Sequence, residues 1–296
     1  MQRTVASLIG AFGSEGLLKM AMHYRWSYLN DQEKFLRAEF GRGLSESRDR
    51  AQRDAAAAPL MLAMQAYLPR VGITRETIPA IERSYGELLD ILDAHFMLHP
   101  YILGGRPSDA DFGLMGPLFA HLARDPYPCT LMKSRAPNVF RWTERMNTPD
   151  IFDGEFAEID ACYPRDDSIP ETLEPLLTHI FKDWGPELFA NADNYNAWVK
   201  GNPSLKPGDL VSAGGDRRVH PSLGNISYVL GRQNLQSVAA PQALWHFDKA
   251  LRRARALSGV AGKQFDALVQ RTGGGGLMAI TLARPLKREN YVLVVG

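Results

Sequence analysis

Helical spacing of apolar residues dominates the first half of the chain. Residues 3–13 carry apolar side chains at i, i+3, i+4 and i+7, which predicts an amphipathic helix; the stripe is Val5, Leu8, Ile9 and Phe12. A longer tract keeps the helical interval for about five turns. Its apolar face carries Ile78, Ile81, Tyr85, Leu88, Leu92 and Phe96. Between the two tracts, an alanine run with high helix propensity leads into Leu60, Met64 and Leu68.

A helix-capping motif follows the long helical tract. The tract ends at Pro100, and the pair Gly104 and Gly105 comes next. Ser108 precedes Asp111 by three positions, the spacing of a capping box in which Asp replaces the usual Glu. In such a box the Ser108 hydroxyl accepts from the Asp111 amide, and the Asp111 carboxylate accepts from the Ser108 amide. The sequence therefore predicts a helix starting here, with one apolar face formed by Phe112, Met115, Phe119 and Leu122.

Prolines, glycines and short apolar runs divide the rest of the chain. Pro126 and Pro128 predict the end of the capped helix, and Pro137 suits the first turn of the next one. That next helix buries Val139, Trp142 and Met146. Further helices are expected over 170–182, 188–199, 244–254 and 265–269. The expected strands are 226–230, paired with 210–212 in a hairpin, and an edge strand over 291–295.

These patterns predict a mainly α protein in two parts. Residues 1–165 are expected to form a helical bundle. Residues 166–296 are expected to form a smaller α+β extension, with helices, a small hairpin and a terminal strand.

Composition narrows the functional classes. The chain has 296 residues, 45% of them hydrophobic, with 34 Lys plus Arg against 33 Asp plus Glu. A net charge of +1 lacks the basic excess of a dedicated nucleic-acid binder, so no nucleic-acid partner is expected. Two cysteines suit a reducing compartment, where free cysteines are small buried residues. Because no run approaches the ~20 apolar residues of a membrane span, we expect a cytoplasmic protein without a membrane partner.

Few residues suggest a metal or phosphate site. His95 and His99 stand at i and i+4, but no further ligand follows at a suitable spacing, so no metal is expected there. A pair at a helix C-terminus is expected to be partly protonated. Gly10, Gly13 and Gly16 are interpreted as loose helix packing, and residues 273–276 as a flexible connector.

The densest group of functional side chains lies early in the chain. His23, Tyr24, Arg25 and Trp26 are consecutive, and Tyr28 is close by. They offer a general base, a fixed cation, a phenol and a stacking surface, which together suit a pocket for an anionic or aromatic ligand. The alternative is a hydrogen-bonded helix end packed under Trp26. Both interpretations remain open, and the catalytic residues are unknown.

Four stretches resemble the glutathione S-transferase superfamily. Residues 99–112 read HPYILGGRPSDADF, similar to the capping box that opens the central helix of the superfamily's C-terminal helical domain. Residues 136–139 (APNV) and 142–146 (WTERM) resemble the next helix of that domain. Residues 22–26 (MHYRW) resemble an early helix of a bacterial group whose members carry an additional C-terminal region. The resemblance implies a transferase C-terminal-like helical bundle and a role in detoxification.

The superfamily's two-domain enzymes begin with a thioredoxin-like domain, and no such domain is visible here. That domain holds glutathione and the residue that activates its thiol. Glutathione is thus the cofactor that the resemblance implies, but no residue of this sequence supports its site. We expect either a truncated member or a stand-alone helical domain.

Two functions follow from the resemblance. The first is the helical part of a glutathione-dependent transferase, which binds a small apolar or aromatic electrophile with His23, Tyr24, Arg25 and Trp26 as pocket or interdomain residues. The second is a non-catalytic helical module that binds a ligand or protein through an exposed stripe on its first helix. The resemblance also allows a homodimer.

Overall fold

The computed structural model describes residues 1–148 and 154–296, and most of that length is helical. The helices that begin before residue 165 are α1 (Gln2–Ala11), α2 (Leu18–Trp26), α3 (Leu29–Leu44), α4 (Arg50–Tyr67), α5 (Ile78–Phe96), α6 (Asp109–Pro117), α7 (Pro126–Arg135) and α8 (Pro137–Met146). The later helices are α9 (Leu173–Asp183), α10 (Gly185–Gly201), α11 (Pro241–Arg255), α12 (Gly259–Arg271) and α13 (Gly275–Met278). The strands are β1 (Asn225–Leu230), β2 (Gln233–Val238), β3 (Leu286–Glu289) and β4 (Val292–Val295). The predicted mainly α class is confirmed.

The long apolar tract is helix α5, as predicted. Its face from Ile81 to Phe96 is buried, and the helix packs against α8 and α9. Helix α9, with buried Leu173, Leu176 and Ile180, also agrees with the prediction. The domain boundary near residue 165 stays a prediction. Helix α11, which lies after this boundary in the sequence, packs directly on α1.

The first helix lies inside the protein. Helix α1 contacts both α6 and α11, and its stripe of Val5, Leu8, Ile9 and Phe12 is buried. The expectation of an exposed docking stripe on this helix is therefore wrong. By length and composition, the helical run Gln2–Trp26 is long and apolar enough to cross a membrane, but 78% of the window that passes this test is buried inside the protein. Such burial is typical of a core helix.

Glycines let α1 and α6 approach at backbone distance. A methyl group at Gly10 would lie 2.8 Å from the carbonyl oxygen of Asp109, and one at Gly13 would overlap the backbone of Gly113. The glycines near the N-terminus do serve helix packing, as interpreted, but that packing is close and not loose.

We expect Gly13→Ala to lower the free energy of unfolding by about 2 kcal/mol, because the added methyl group forces the two backbones apart. Gly116→Ala is the matched control, since a methyl group there meets nothing within 4 Å. The control should instead stabilise by up to about 1 kcal/mol through better helix propensity. Urea unfolding followed by circular dichroism measures both, and equal values for the two variants would contradict this packing.

The buried face of α6 differs from the predicted one. Phe112 is 64% exposed, and the buried residues of α6 are Ala110, Asp111 and Leu114. The carboxylate of Asp111 belongs to the inner face, and each residue turns by about 100° around a helix, so Phe112 points away. The prolines expected to end this helix were also misassigned: α6 continues as a π-helical turn (Leu118–Leu122), and Pro126 begins α7.

The predicted hairpin has the wrong partner. Strand β1 pairs antiparallel with β2, and Gly231 at the connection has φ of +62°, a conformation that favours glycine. Leu210 bridges Val294 instead. The terminal strand β4 is fully buried rather than an edge, because β3 pairs on one side and the 208–211 backbone on the other.

The histidine pair at the end of α5 does not have the partial protonation that the sequence predicts. His95 is 1% exposed; its Nδ1 lies 2.7 Å from the Thr172 hydroxyl and its Nε2 lies 3.2 Å from the Tyr101 carbonyl oxygen. Burial lowers the pKa of His95 to about 3 and also lowers that of His99. Desolvation thus outweighs the field of the helix end. The two cysteines also differ from expectation, since Cys129 is only half-buried and Cys162 is exposed.

Candidate functional site

The capping box predicted at the start of α6 is present and forms a hydrogen-bonded hub. Both reciprocal bonds of the box are made between Ser108 and Asp111. The Asp111 carboxylate accepts from the backbone amides of Ser108 and Ile102, each at 2.9 Å, and from Trp142 Nε1 at 3.2 Å. The Ser108 hydroxyl donates to the same carboxylate. Asp111 is fully buried, so these contacts make it a structural group that ties α6 to α8.

His23 is held inside the protein at the end of α2. Its side chain is 1% exposed; Nε2 lies 3.0 Å from Glu82 Oε1, and Nδ1 lies 2.9 Å from the Ser27 hydroxyl. Burial lowers the pKa of His23, so the ring is neutral at pH 7. In that state Nε2–H donates to Glu82, and Nδ1 accepts from Ser27. The Tyr28 hydroxyl also donates to Glu82 Oε1, at 2.5 Å.

Three tyrosines stack beside this hydrogen-bonded group. The rings of Tyr28 and Tyr127 are 3.6 Å apart and nearly parallel, and Tyr24 stacks on Tyr28 with centroids 5.8 Å apart. Burial raises the pKa of Tyr24 and Tyr28 above the ordinary value, so both phenols stay protonated at neutral pH. This tyrosine stack provides aromatic surface rather than acid–base chemistry.

Arg25 and Trp26 point to other neighbours. Arg25 Nε donates to Asp125 at 2.6 Å, and its Nη2 donates to the other oxygen of the same carboxylate at 2.8 Å. Asp125 is completely buried. Trp26 is 4% exposed and stacks on Phe40 of α3 at 5.7 Å. The four predicted site residues therefore split into two groups, and each is engaged with protein side chains.

A groove lies between α3 and α4 and has a volume of about 530 Å³. We call it the α3–α4 groove. Its lining comprises Asp31, Gln32, Lys34, Phe35, Ala38, Arg42, Arg48, Arg50, Arg53, Asp54 and Pro126. With five basic and two acidic side chains, the groove is electropositive, and Phe35 gives it an aromatic wall.

Gln32 connects the groove to the predicted residues. Its side-chain amide donates to the carbonyl oxygens of Tyr24 and Arg25 at 2.7 and 2.8 Å, and it accepts from the Tyr127 amide. None of the four predicted residues is among the groove lining. Gln32 links Tyr24 and Arg25 to the groove, and the role of the four residues in substrate binding stays a prediction. The sequence does not single out the groove residues, because charged residues of both signs on consecutive helices are typical of a solvated face.

A second group of buried ionisable side chains lies where residues 15–19 meet α10 and α11. Burial, together with nearby Glu187, raises the pKa of Glu15 to about 7. Lys19 Nζ donates to Glu187 at 2.6 Å. His246 Nε2 is 3.4 Å from Glu15 Oε1, but burial lowers the pKa of His246 to about 4, so the two are not an ion pair at pH 7. Glu15 lies in the turn between α1 and α2, and Lys19 lies on α2, so this group joins the first helical segment of the chain to α10 and α11.

The comparison with protein families matches residues 75–145 to the model described as "Glutathione S-transferase, C-terminal domain". This segment is a glutathione S-transferase C-terminal domain. It runs from just before α5 into α8 and includes the capping box, Glu82, Asp125 and Tyr127. No curated protein and no solved structure matches the chain. Helices α1–α4, with the predicted residues 23–26 and most of the groove, lie outside the matched transferase domain.

Proposed function

We propose that this chain is the helical, substrate-binding part of a glutathione-dependent transferase, and that the electrophile binds in the α3–α4 groove. The family match over residues 75–145 supports the reaction class. The main observation that supports this binding site is the groove itself, whose volume of about 530 Å³ falls within the range of small-molecule pockets.

The charge of the groove indicates the class of ligand. Lys34, Arg42 and Arg48 are exposed side chains that favour an anionic group on the ligand, and half-buried Phe35 offers a face for a flat ring. An aromatic or apolar electrophile that carries a negative group fits both features. His23, Tyr24, Arg25 and Trp26 then serve by fixing the end of α2, from which Gln32 is held against the groove.

The proposed reaction is attack of a thiolate on an electrophilic carbon, which forms a carbon–sulfur bond and expels the leaving group with its electron pair. The thiol comes from glutathione, the cofactor that the resemblance implies. Because Tyr24 and Tyr28 stay protonated at neutral pH, they do not take a proton from the thiol. We therefore propose that this chain contributes electrophile binding and that it does not bind glutathione tightly.

The second candidate is a non-catalytic ligand-binding module. It is favoured because, among the predicted site residues, His23 contacts Glu82 and the Tyr24 phenol is protonated, so neither is placed to activate a thiol. Reading the genomic sequence upstream of Met1 separates the two: a continuing frame rich in strands supports the transferase, and an immediate stop codon supports the module. In both cases we propose a cytoplasmic protein that acts as a monomer or homodimer, without a nucleic-acid or membrane partner.

The test is a calorimetric titration of the chain with an aromatic carboxylate such as naphthoate. A ligand of this size is expected to bind with a Kd on the order of 0.1–1 mM. Arg42→Ala should weaken binding about tenfold, because a charge-assisted contact is lost. Arg37→Ala is the matched control: it lies on the same helix, pairs with Glu33 and is outside the groove lining.

Two results would contradict the proposal. One is equal affinity for Arg42→Ala and Arg37→Ala, which would place the ligand elsewhere. The other is glutathione binding at micromolar concentration, or conjugation of an aryl halide, by this chain alone. That second result would place a thiol site among residues that we assign to structure.

A further inference from the structure

A cluster of one histidine and two carboxylates lies between α5 and α9, away from the α3–α4 groove. We propose that Glu87, His179 and Asp183 bind a divalent transition-metal ion. Neither the family match nor the proposed transferase function assigns any role to these residues. We call them the α5–α9 cluster.

Two helices bring the three side chains together. His179 and Asp183 are at i and i+4 on α9, so they share one face of the helix. Glu87 faces them from α5. His179 Nδ1 lies 3.9 Å from Glu87 Oε2 and 3.8 Å from Asp183 Oδ2, and the three ligand atoms are all within 4.8 Å of one another.

These separations are too long for hydrogen bonds and suit ligands that share an ion. A donor–acceptor pair would approach to about 3 Å. Two ligand atoms that each lie about 2.0–2.2 Å from one metal ion are roughly 3–4 Å apart. The observed spacings of the imidazole nitrogen fall in that range.

An unpaired buried oxygen supplies a second, independent observation. Asp183 is 7% exposed, and its Oδ1 is buried and has no hydrogen-bond partner within the described residues. Buried carboxylate oxygens in folded proteins nearly always have a partner, so a compensating interaction such as a bound cation is expected.

Neighbouring side chains hold the two α9 ligands in place. The Ser84 hydroxyl donates to Asp183 Oδ2 at 2.5 Å, which leaves that oxygen a second lone pair and Oδ1 fully free for an ion. The ring of Phe12 packs edge-on against the His179 imidazole, with centroids 6.3 Å apart. Partners of this kind orient metal ligands and are part of most metal sites.

The charges in the cluster favour a cation. Two carboxylates, those of Glu87 and Asp183, lie beside the His179 imidazole, whereas one ammonium group, Lys182 Nζ, lies 3.4 Å from Glu87 Oε2. Lys182 is 59% exposed and can swing away when an ion neutralises Glu87.

An ion can reach the cluster from solvent. A groove of about 600 Å³ is lined by Glu87 and His179 and also by Glu171, Glu174 and Lys182. One imidazole nitrogen and two carboxylate oxygens form a three-ligand set that leaves a position for water, as zinc accepts in open sites. The sequence alone does not indicate this site, because Glu87 and His179 lie on helices that are far apart in the chain.

The test is equilibrium dialysis of the full chain against Zn²⁺, with Co²⁺ absorption as a second measure of coordination. We expect one Zn²⁺ per chain. Glu87→Gln should weaken binding by at least the roughly tenfold that loss of even an outer partner costs. Glu171→Gln is its matched control, since this exposed carboxylate lines the same groove but is outside the cluster.

His179→Gln should abolish binding, whereas His220→Gln, at an exposed histidine, should not change it. Because His179 is buried and its replacement can unfold the chain, Glu87→Gln at a side chain 41% exposed provides the independent test. Equal Zn²⁺ affinity of the wild type, Glu87→Gln and Glu171→Gln would overturn the proposal. So would an absence of Zn²⁺ binding by the folded wild type.

Discussion

Replacing Asp111 by alanine is expected to lower the free energy of unfolding by about 4 kcal/mol. The carboxylate is fully buried and accepts from the amides of Ile102 and Ser108, the Ser108 hydroxyl and the Trp142 indole. Its removal leaves several buried donors unpaired at once, and each costs about 1–3 kcal/mol, reduced where water or a shift of the chain restores a partner. Ser108→Ala removes less, and should cost about 1 kcal/mol.

Asp109→Ala is the matched control for Asp111→Ala. Asp109 belongs to the same first turn of α6, but its side chain is 74% exposed and lies 3.7 Å from Arg253. It should cost less than about 1 kcal/mol, mainly through the helix dipole. Urea unfolding of both variants measures the difference. If Asp111→Ala melts like the parent protein and loses ligand binding instead, the structural role of the capping box is wrong.

Arg25→Ala is expected to cost about 3 kcal/mol, because it leaves the buried Asp125 carboxylate without its bidentate partner. Arg37→Ala is the matched control, since its pair with Glu33 is partly exposed and should contribute about 0.5 kcal/mol or less. The double variant Arg25→Met with Asp125→Leu should recover much of the loss, since it removes both charges of the pair.

This second experiment also separates the two interpretations of Arg25. A large loss of stability that the double variant reverses supports a structural ion pair between α2 and the start of α7. A stability close to that of the parent protein, together with loss of aromatic carboxylate binding, would instead make Arg25 a ligand-binding residue, as the sequence first suggested.

The sequence predicts best where a pattern is local. The helical interval along α5 and the Ser108–Asp111 spacing depend on residues a few positions apart, and both are found in the structure. The buried face of α6 was predicted wrongly because the orientation of this helix depends on α1, where Gly10 approaches Gly113 from a distant part of the chain. The partner strand of the hairpin was also predicted wrongly. Strand β1 pairs with β2, the strand that directly follows it, and not with residues 210–212.

The candidate sites are formed by residues that are far apart in the sequence. His23 looked like a general base from its neighbours in sequence, but Glu82, 59 positions later, is the group that it contacts. The α5–α9 cluster combines residues 87 and 179, so no local spacing in the sequence indicates it. Burial also depends on residues that are far apart in the sequence. It makes His95 neutral, although a helix C-terminus favours the charged form.

The central claim is that a flat aromatic anion binds between α3 and α4, and photo-crosslinking tests it most directly. The chain is irradiated with benzophenone carboxylate, digested and analysed by mass spectrometry, with and without excess unlabelled naphthoate. The account predicts labelled peptides from α3 (Leu29–Leu44) and α4 (Arg50–Tyr67) that disappear under competition. Competed labels confined to other helices, or labels that do not respond to the competitor, would contradict it.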